Sequence, residues 1–257
     1  MIKFWRGYQL PGIVLAYQDW YLYTMDRLGK WEPKETVFRV RGGYKFLVSK
    51  KGEIAGADGA WRTRVLLDHV DLKDGDVVID VGAHIGYFSV YAATQVRGAK
   101  VYAYEPCPDS YKKLLANIQL NSCKNIKAFE LGVAGTKGQR EFYTSENDNL
   151  SNSLIQERAN GDLNEITIQT TTLKEVFDQN KIEVCNFLKM NAEGAEHEII
   201  ESTPVEYLKR IQKAAIFYHG GVRSLKDILC NAGFSVLEDA ANGPVYGRLI
   251  AYRPSAS

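Results

Sequence analysis

A strand, a glycine turn and a helix follow one another without a break in residues 76–93, DVVIDVGAHIGYFSVYAA. The apolar run at 77–81 is typical of a strand that is covered on both faces. Gly82 and Gly86 let the backbone turn and approach a ligand, because neither carries a Cβ atom. This order predicts an open sheet of parallel strands with a ligand site at the turn.

An acidic residue ends the next apolar segment, VYAYE at 101–105. This residue, Glu105, comes 25 positions after Asp80, the acid inside the first strand. A carboxylate at this spacing is placed to accept hydrogen bonds from the hydroxyl groups of a ribose. The turn and the acid together therefore predict a ligand that contains adenosine.

Three kinds of adenosine ligand compete for the turn. A phosphate-binding loop would end in Gly-Lys-Ser or Gly-Lys-Thr, which this segment lacks. A dinucleotide-binding turn has glycine at the second position of G-x-G-x-x-G, where this chain has His84, whose side chain would crowd a diphosphate. S-adenosylmethionine has no phosphate, and its carboxylate suits backbone N–H groups at a turn and a helix start. The pattern therefore favours S-adenosylmethionine as the cofactor.

Length and charge limit the other classes of function. With 257 residues, 45% of them hydrophobic, the chain can form one main domain. It carries 32 basic and 31 acidic residues, so it lacks the basic excess of proteins that hold nucleic-acid backbones. A nucleic-acid partner is therefore disfavoured.

Cysteine, histidine and hydropathy patterns lead to three further predictions. The four cysteines contain no C-x-x-C pair, which indicates reduced thiols and a cytoplasmic protein. The four histidines show no H-x-x-x-H spacing, so we expect no metal site. No apolar run reaches the length of a membrane span, and residues 10–17 are too short a run for a signal peptide.

Residues 1–60 are rich in aromatic side chains, and we expect them to pack as a helical and hairpin extension on a main domain at 61–257. Within the extension, 37–48 has the pattern of a β-hairpin with Gly42 and Gly43 in the turn. Alternatively, part of the extension closes over a substrate, because aromatic side chains also line ligand pockets. The sequence leaves both interpretations open.

From residue 76 onward strands and helices alternate, the pattern of a doubly wound α/β sheet. The third strand is expected to run from 126 to 133, and Asp109 or Ser110 to cap the helix before it. Further strands are expected at 135–143, 166–172, 187–191, 214–218, 234–237 and 246–252, the last two antiparallel, with helices at 196–202 and 224–232. The polar segment 145–165 is either a lid over the site or a solvated loop.

Taken together, these motifs resemble the FkbM family of S-adenosylmethionine-dependent methyltransferases. The resemblance runs from about residue 37 to the end of the chain and rests on a combination of segments. They are DVVIDVGAHIGYFS, AYEPCPDSYKKLLANIQLN, ELGVAG, the TTTL at 170–173, and NFLKMNAEGAEHEII. The family implies a seven-stranded class I methyltransferase fold, Rossmann-like and mostly parallel. It also implies O-methylation of a hydroxyl group on a sugar, a glycolipid or a macrolide-type natural product.

The resemblance also implies roles for particular residues. The residues it places around the cofactor are Asp80, Gly82, Ala83, His84 and Gly86 at the methionine end, Glu105 and Pro106 at the ribose, Gly132 and Val133 at the adenine, and Asn191 and Glu193 near the reacting methyl group. The family usually has aspartate at position 191, so either a charge is unnecessary there or the activity is altered. Asp80 has a structural alternative, in which it caps the turn through backbone contacts.

A hydroxyl acceptor must lose its proton during methyl transfer, and a neutral imidazole can take it near neutral pH. His219 is our first candidate for this base, and His84, inside the turn, is the second. Glu193 and Glu196 begin a helix, where a negative charge is favourable whatever the function. We keep Glu193 as a catalytic candidate and expect a structural role for Glu196.

Two other functions stay open on the sequence. The segment 103–121 also resembles archaeal-type tRNA guanosine methyltransferases, although the near-neutral charge argues against a tRNA substrate. Because Asn191 departs from the family pattern, the protein could also bind the cofactor without catalysis. The first prediction is a methyltransferase whose partner is a small-molecule or glycosidic hydroxyl acceptor.

Overall fold

The computed structural model describes residues 16–32, 34–50, 52–54, 72–145, 163–239 and 246–254. Its strands are β1 (Thr36–Arg39), β2 (Lys45–Val48), β3 (Val77–Val81), β4 (Lys100–Tyr104), β5 (Ile126–Phe129), β6 (Gly132–Val133), β7 (Gly138–Ser145), β8 (Leu163–Thr171), β9 (Cys185–Met190), β10 (Ile211–His219), β11 (Ser235–Asp239) and β12 (Tyr246–Tyr252). Its helices are α1 (Trp20–Arg27), α2 (Tyr87–Gln95), α3 (Pro108–Leu120), α4 (Leu173–Asn180), α5 (Glu196–Ser202), α6 (Val205–Leu208) and α7 (Arg223–Asn231).

Seven strands form the central sheet, in the order β11-β12-β10-β9-β3-β4-β5. Neighbouring strands from β10 to β5 are parallel, and β12 is antiparallel to both β10 and β11. The doubly wound, mostly parallel class I methyltransferase fold is therefore confirmed. Along the chain, β3 comes first and lies in the middle of the sheet. The next two strands, β4 and β5, lie on one side of it, and β9 and β10 lie on the other. Ligands of such sheets bind where the order reverses, here at the carboxyl ends of β3, β4 and β9.

The inner strands are apolar because helices cover both faces of the sheet. Ile79 of β3 and its neighbour Leu188 of β9 are completely buried in the larger core, which includes side chains of α4, α5 and α7. On the other face Val78 packs with Phe88 of α2 and Phe187 of β9. Full burial of a side chain of this size stabilises a fold by roughly 1.5–3 kcal/mol.

The predicted hairpin is confirmed, since β1 and β2 pair in antiparallel register and Gly43 in their turn has a φ of 86°. Asn117 of α3 binds this hairpin: its Oδ1 accepts a hydrogen bond from the Leu47 N–H at 2.6 Å. The Nδ2 of the same side chain donates to the Ile85 carbonyl at 2.8 Å. Because Ile85 belongs to the glycine turn, one side chain joins the hairpin to the expected ligand site. The domain boundary at residue 60 lies outside the described residues and stays a prediction.

Two boundary predictions are wrong. The third strand does not continue to residue 133, because β6 leaves the central sheet and pairs with β8 in a separate three-stranded sheet that also contains β7. Helix α3 begins at Pro108 with Cys107 in the N-cap position, rather than after a cap at Asp109 or Ser110. Proline suits the first helical position, where a backbone N–H would have no acceptor within the helix.

The strand pair expected beside the long insert is confirmed as β7 and β8, which are antiparallel to each other. The choice between a lid and a solvated loop concerns mainly residues 146–162, which lie outside the described residues. No helix within the described ranges is long and apolar enough to cross a membrane.

Candidate active site

The residues between β3 and α2, the β3 turn, pack tightly against those between β9 and α5, the β9 turn. In the β3 turn Gly82, His84 and Gly86 have φ angles of 69°, 52° and 94°. A Cβ atom on Gly82 would lie 1.9 Å from the backbone carbonyl oxygen of Asn191, the first residue of the β9 turn. Position 82 therefore requires glycine for both its conformation and its space.

Asp80 is completely buried at the end of β3, directly opposite Lys189 on the neighbouring strand β9. Its Oδ1 lies 3.0 Å from Lys189 Nζ, and its Oδ2 accepts a hydrogen bond from Ser89 Oγ at 2.6 Å. Lys189 Nζ also donates to the Gly82 carbonyl at 2.6 Å. Its side chain has no exposed surface and supports the β3 turn, as in the structural alternative, and a contact between Asp80 and the cofactor stays a prediction.

Lys189 is a residue of the site that the sequence analysis missed. A signal was present, because a lysine inside the apolar segment NFLKM needs a partner when the strand is buried. Asp80, inside the equally apolar β3, has the same need. Only the register between the two strands, which the sequence does not give, shows that the two charges meet.

Four backbone N–H groups of the β3 turn already have acceptors in the protein, and one of them, that of Gly86, donates to the Ala83 carbonyl at 2.9 Å. Gly82 and Ala83 donate to the Tyr104 carbonyl, and His84 donates to Glu105 Oε2 at 2.7 Å. The other part of the prediction, the helix start, is the first turn of α2, because helix N-termini carry N–H groups without intrahelical acceptors and no side chain caps this one. Binding of the cofactor carboxylate there stays a prediction.

Glu105 is buried at the end of β4, with 6% of its surface exposed. Besides the bond to His84, its Oε1 accepts a hydrogen bond from the Cys107 N–H at 3.0 Å. Burial raises the pKa of Glu105 to about 7, although both hydrogen bonds act to lower it. Each carboxylate oxygen has a further lone pair with which to accept from a ligand hydroxyl. Glu105 can thus serve a ribose, and it also holds the β3 turn in place.

The residues expected near the adenine lie beside those expected at the ribose. A Cβ atom on Gly132 would be 3.6 Å from Pro106 Cβ and 3.1 Å from the Ile168 side chain. Val133 pairs with Thr171 of β8, and its side chain is buried in the main core. Position 132 is therefore closely packed against Ile168, Thr170 and Pro106, and a side chain there would crowd these neighbours.

His84 is poorly suited to act as the base. Burial is the main cause that lowers its pKa to about 4, so the imidazole is neutral at pH 7 and holds a proton only weakly. Its Nε2 is buried and makes no hydrogen bond to any described residue. The ring lies 6.0 Å from that of Tyr87, the first residue of α2. Both expected roles of His84, as a cofactor contact and as the second candidate base, stay predictions.

Two carboxylates approach His219 from different sides. His219 is the last residue of β10 rather than the residue after it. Its Nδ1 lies 3.2 Å from Glu196 Oε1, and its Nε2 lies 3.4 Å from Glu193 Oε2. The side chains of His219 and Glu193 are 19% and 32% exposed, whereas that of Glu196 is completely buried. The fold thus places the first candidate base and the candidate carboxylate side by side.

Asn191 orients Glu193. Its Nδ2 donates to Glu193 Oε1 at 2.8 Å, and Glu193 has a φ of 49°, which is uncommon outside glycine. Burial raises the pKa of Glu193, and the nearby His219 counteracts this shift. An aspartate at position 191 would bring a second carboxylate to Glu193, so asparagine replaces a repulsion with a hydrogen bond.

Glu53 is a second residue that the sequence analysis missed. It belongs to the N-terminal extension, is completely buried and forms an ion pair with Lys113 of α3. Its Oε2 accepts hydrogen bonds from the N–H groups of Ser49 and Lys50 at 2.6 and 3.0 Å. Its backbone carbonyl accepts the hydroxyl of Tyr87. The extension is therefore tied to the helix that starts at the β3 turn.

The remaining candidate ligands and thiols add no further cluster. Within the ranges that the structure describes, no group of three or more histidine, cysteine, aspartate or glutamate side chains is arranged to hold a metal ion. Cys107, Cys123 and Cys185 are buried and Cys230 is exposed, and none of the four forms a disulfide. Burial raises the pKa of Cys185 to about 12, so it is a neutral thiol.

Comparison with known proteins agrees with this geometry. Residues 80–236 match the model of the methyltransferase FkbM domain. The chain is 25% identical over 205 residues to the methyltransferase sdnD of Sordaria araneosa, covering 68% of this chain and 79% of that one. It is 26% identical over 210 residues to the 31-O-demethyl-FK506 methyltransferase FkbM of Streptomyces tacrolimicus, with the same two coverages of 68% and 79%.

A third relative is the hexuronic acid methyltransferase AglP of Haloferax volcanii, which is 24% identical over 177 residues, or 66% of this chain and 70% of that one. The matched FkbM domain spans more than half of the chain. It includes the β3 turn, the acid at the end of β4, the β9 turn and His219. The resemblance noted in the sequence is thereby confirmed, and the chain belongs to the FkbM family of S-adenosylmethionine-dependent methyltransferases.

Proposed function

We propose that this methyltransferase binds S-adenosylmethionine at the carboxyl ends of β3 and β4 and methylates a hydroxyl group of a sugar or another natural product. The observation that carries the proposal is the imidazole of His219, held between Glu193 and Glu196 beside the β3 turn. A partly exposed imidazole at this edge of the sheet can take the proton that a hydroxyl group loses.

The groups around the β3 turn fit the proposed cofactor. The uncapped first turn of α2 suits the methionine carboxylate, and the remaining lone pairs of Glu105 suit the two ribose hydroxyls. The backbone at Gly132, next to Pro106, is our candidate for contact with the adenine. The buried Nε2 of His84, which lacks a partner among the described residues, is a further polar atom that the cofactor could satisfy.

When bound, S-adenosylmethionine supplies a methyl group on a positively charged sulfur. The residues of this chain then have two tasks. The β3 and β9 turns, which touch at Gly82 and Asn191, align the reacting groups, and alignment accounts for much of the rate of such a transfer. His219 takes the acceptor proton, and Glu193 stabilises the resulting imidazolium by its negative charge.

The nature of the acceptor is supported by the relatives and by the charge of the chain. One relative is named for O-methylation of a demethylated FK506 and another for methylation of a hexuronic acid. The net charge of +1 favours a small acceptor over a nucleic acid, whose phosphates need clustered basic residues. We therefore place sugars, uronic acids and polyketide hydroxyls ahead of tRNA.

The test is a transfer assay with methyl-labelled S-adenosylmethionine and a panel of sugars, uronic acids, polyketides and tRNA. We expect the label in a methyl ether of one hydroxyl compound, identified by the chemical shift of its methoxy group. Label on a tRNA base alone would overturn the proposed acceptor. Tight cofactor binding without transfer to any compound on the panel would favour a cofactor-binding protein.

We also propose that the protein works in the cytoplasm, as its cysteines suggest. All four are unpaired, and three of them are buried, so no disulfide contributes to the fold. Rapid alkylation of thiols in intact cells, followed by mass analysis, is expected to modify all four positions after denaturation. A disulfide trapped between any two of them would contradict this location.

A further inference from the structure

Glu196 is a completely buried carboxylate of the candidate site, and it touches the imidazole that the proposed function uses. Its Oε1 accepts a hydrogen bond from the Ala192 N–H at 2.8 Å and lies 3.2 Å from His219 Nδ1. The Gly194 N–H lies 3.2 Å from Oε1 and 3.1 Å from Oε2. The backbone of the β9 turn thus fixes the carboxylate, which presents one oxygen to the ring.

The surroundings of Glu196 decide which nitrogen of His219 carries a hydrogen. The backbone N–H groups of Ala192 and Gly194 can only donate, so the carboxylate is an acceptor on this side. The contact with Nδ1 is favourable only if Nδ1 carries a hydrogen and donates it to Oε1. A neutral imidazole has only one such hydrogen, and the shorter contact, with the carboxylate that the backbone fixes, favours Nδ1 over Nε2. The lone pair then lies on Nε2, 3.4 Å from the partly exposed Glu193.

We propose that Glu196 is a positioning residue, which holds the ring of His219 through Nδ1–H and so makes Nε2 the atom that accepts the proton. The inference rests on the proposed function only for the source of that proton. In the transfer, the acceptor oxygen bonds to the methyl carbon as the carbon–sulfur bond breaks, with the electron pair of that bond going to sulfur. The acceptor O–H bond breaks, and its proton moves to Nε2. The imidazolium that results lies between Glu193 and Glu196.

The charges around His219 give this role a measurable signature. Glu196 approaches His219 from α5 and Glu193 approaches it from the β9 turn, while His197 on α5 contacts the carbonyl of Gly221 just beyond the strand. Lys189 of β9 acts on Glu193, whose pKa it helps to lower. The two carboxylates favour the charged imidazole. Removal of the charge on Glu196 should therefore lower the pKa of His219 by about one unit, since an opposite charge this close shifts a pKa by roughly 1–3 units.

The first test is nitrogen-15 NMR of the histidine rings in the ligand-free protein, with His219→Ala to assign the signal. In the unmodified protein we expect neutral His219 to carry its hydrogen on Nδ1. In Glu196→Gln we expect its titration midpoint to fall by about one unit. Glu198→Gln is the matched control, because Glu198 lies on the same helix and pairs with Arg140 instead, so this variant should leave the midpoint unchanged.

The second test is the pH profile of kcat for the same variants. We expect Glu196→Gln to move the rising limb to lower pH by the shift seen in NMR and to lower the plateau by about tenfold or more, with cofactor affinity retained. Neutral His219 with its hydrogen on Nε2 in the unmodified protein would overturn the inference, even if Glu196→Gln did not fold. An equal midpoint in Glu196→Gln and Glu198→Gln would also overturn it. The expected NMR result without hydroxyl methylation would overturn the proposed function alone.

Discussion

The β3 turn and the β9 turn lie side by side at one edge of the sheet, yet their acidic residues are used in opposite ways. Asp80 and Glu105, at the β3 turn, are almost completely buried and are satisfied by groups of the protein itself. Glu193, in the β9 turn, is partly exposed and faces His219. Each turn contains one residue other than glycine with a positive φ, His84 in the first and Glu193 in the second.

This difference suggests a division of labour. Carboxylates fixed by backbone donors or by a buried lysine stay in one place and give a pocket its shape. A carboxylate and an imidazole that face each other at a partly exposed surface can instead exchange a proton with a ligand. The β3 side therefore suits the binding of a cofactor, and the β9 side suits the chemical step. Strained backbone in both turns, at about 1–3 kcal/mol per residue, is typical of functional sites.

The largest expected effect comes from the ion pair beneath the β3 turn. Lys189→Met leaves the buried Asp80 without its cation, and such a loss costs roughly 3–5 kcal/mol of unfolding free energy. Urea unfolding measures the difference. Lys174→Met is the control, because its ion pair with Asp178 is exposed to solvent and should contribute little to stability. Equal losses in the two variants would show that the buried pair does not hold the turn.

The second effect falls on the chemical step. His219→Ala should lower kcat by about 100-fold or more, since the variant has no group in place to take the proton. The affinity for S-adenosylmethionine should stay nearly unchanged, which calorimetry can check. His197→Ala, whose ring contacts Ser224 and the Gly221 carbonyl, removes a nearby imidazole and should change kcat far less. Full turnover in His219→Ala would remove this residue from the mechanism.

A third effect should appear only in cofactor binding. Glu105→Ala should weaken binding of S-adenosylmethionine by roughly 1–3 kcal/mol, because two ribose hydroxyls lose a charged acceptor. Calorimetric titration of the variant measures this loss directly. Glu201→Ala, which removes an exposed carboxylate from α5, serves as the control. Unchanged affinity in Glu105→Ala would contradict the proposal that Glu105, at the end of β4, binds the ribose hydroxyls.

The smallest expected effect is a change with pH in the affinity for S-adenosylmethionine. Ribose hydroxyls donate to the ionised form of Glu105, and burial raises its pKa to about 7. Binding should therefore weaken as the pH falls through 7, by about tenfold between pH 8 and pH 6 if only the ionised form binds. Glu105→Gln should lose this dependence. Tighter binding at the lower pH would contradict the sign.

The alternation of strands and helices was enough to predict most of the fold. The β3 turn, the hairpin and the terminal antiparallel pair follow from short apolar runs separated by glycine. The departure of β6 from the central sheet could not be predicted, because the segment 126–133, IKAFELGV, is mostly apolar and has only Gly132 to interrupt a strand. Its break depends on pairing with β8, a strand more than thirty residues away, and the sequence does not specify such partners.

Residues of the candidate site could be predicted when they belong to one sequence motif or lie at the ends of neighbouring strands. Glycine at 82 follows from the turn pattern, although the reason it is required, the Asn191 carbonyl, comes from another strand. The proximity of His219 and Glu193 follows from strand ends that share one edge of the sheet. Lys189 and the orientation of Glu196 were missed, because both depend on contacts between segments that the sequence does not align.

The division between the two turns is tested most directly by single-turnover methyl transfer at saturating cofactor and acceptor, in Glu105→Ala and His219→Ala side by side. We expect Glu105→Ala, once saturated, to transfer the methyl group at close to the unmodified rate, because its loss concerns binding. We expect His219→Ala to be slower by about 100-fold or more under the same conditions. Equal slowing of the chemical step in both variants would contradict the division of labour.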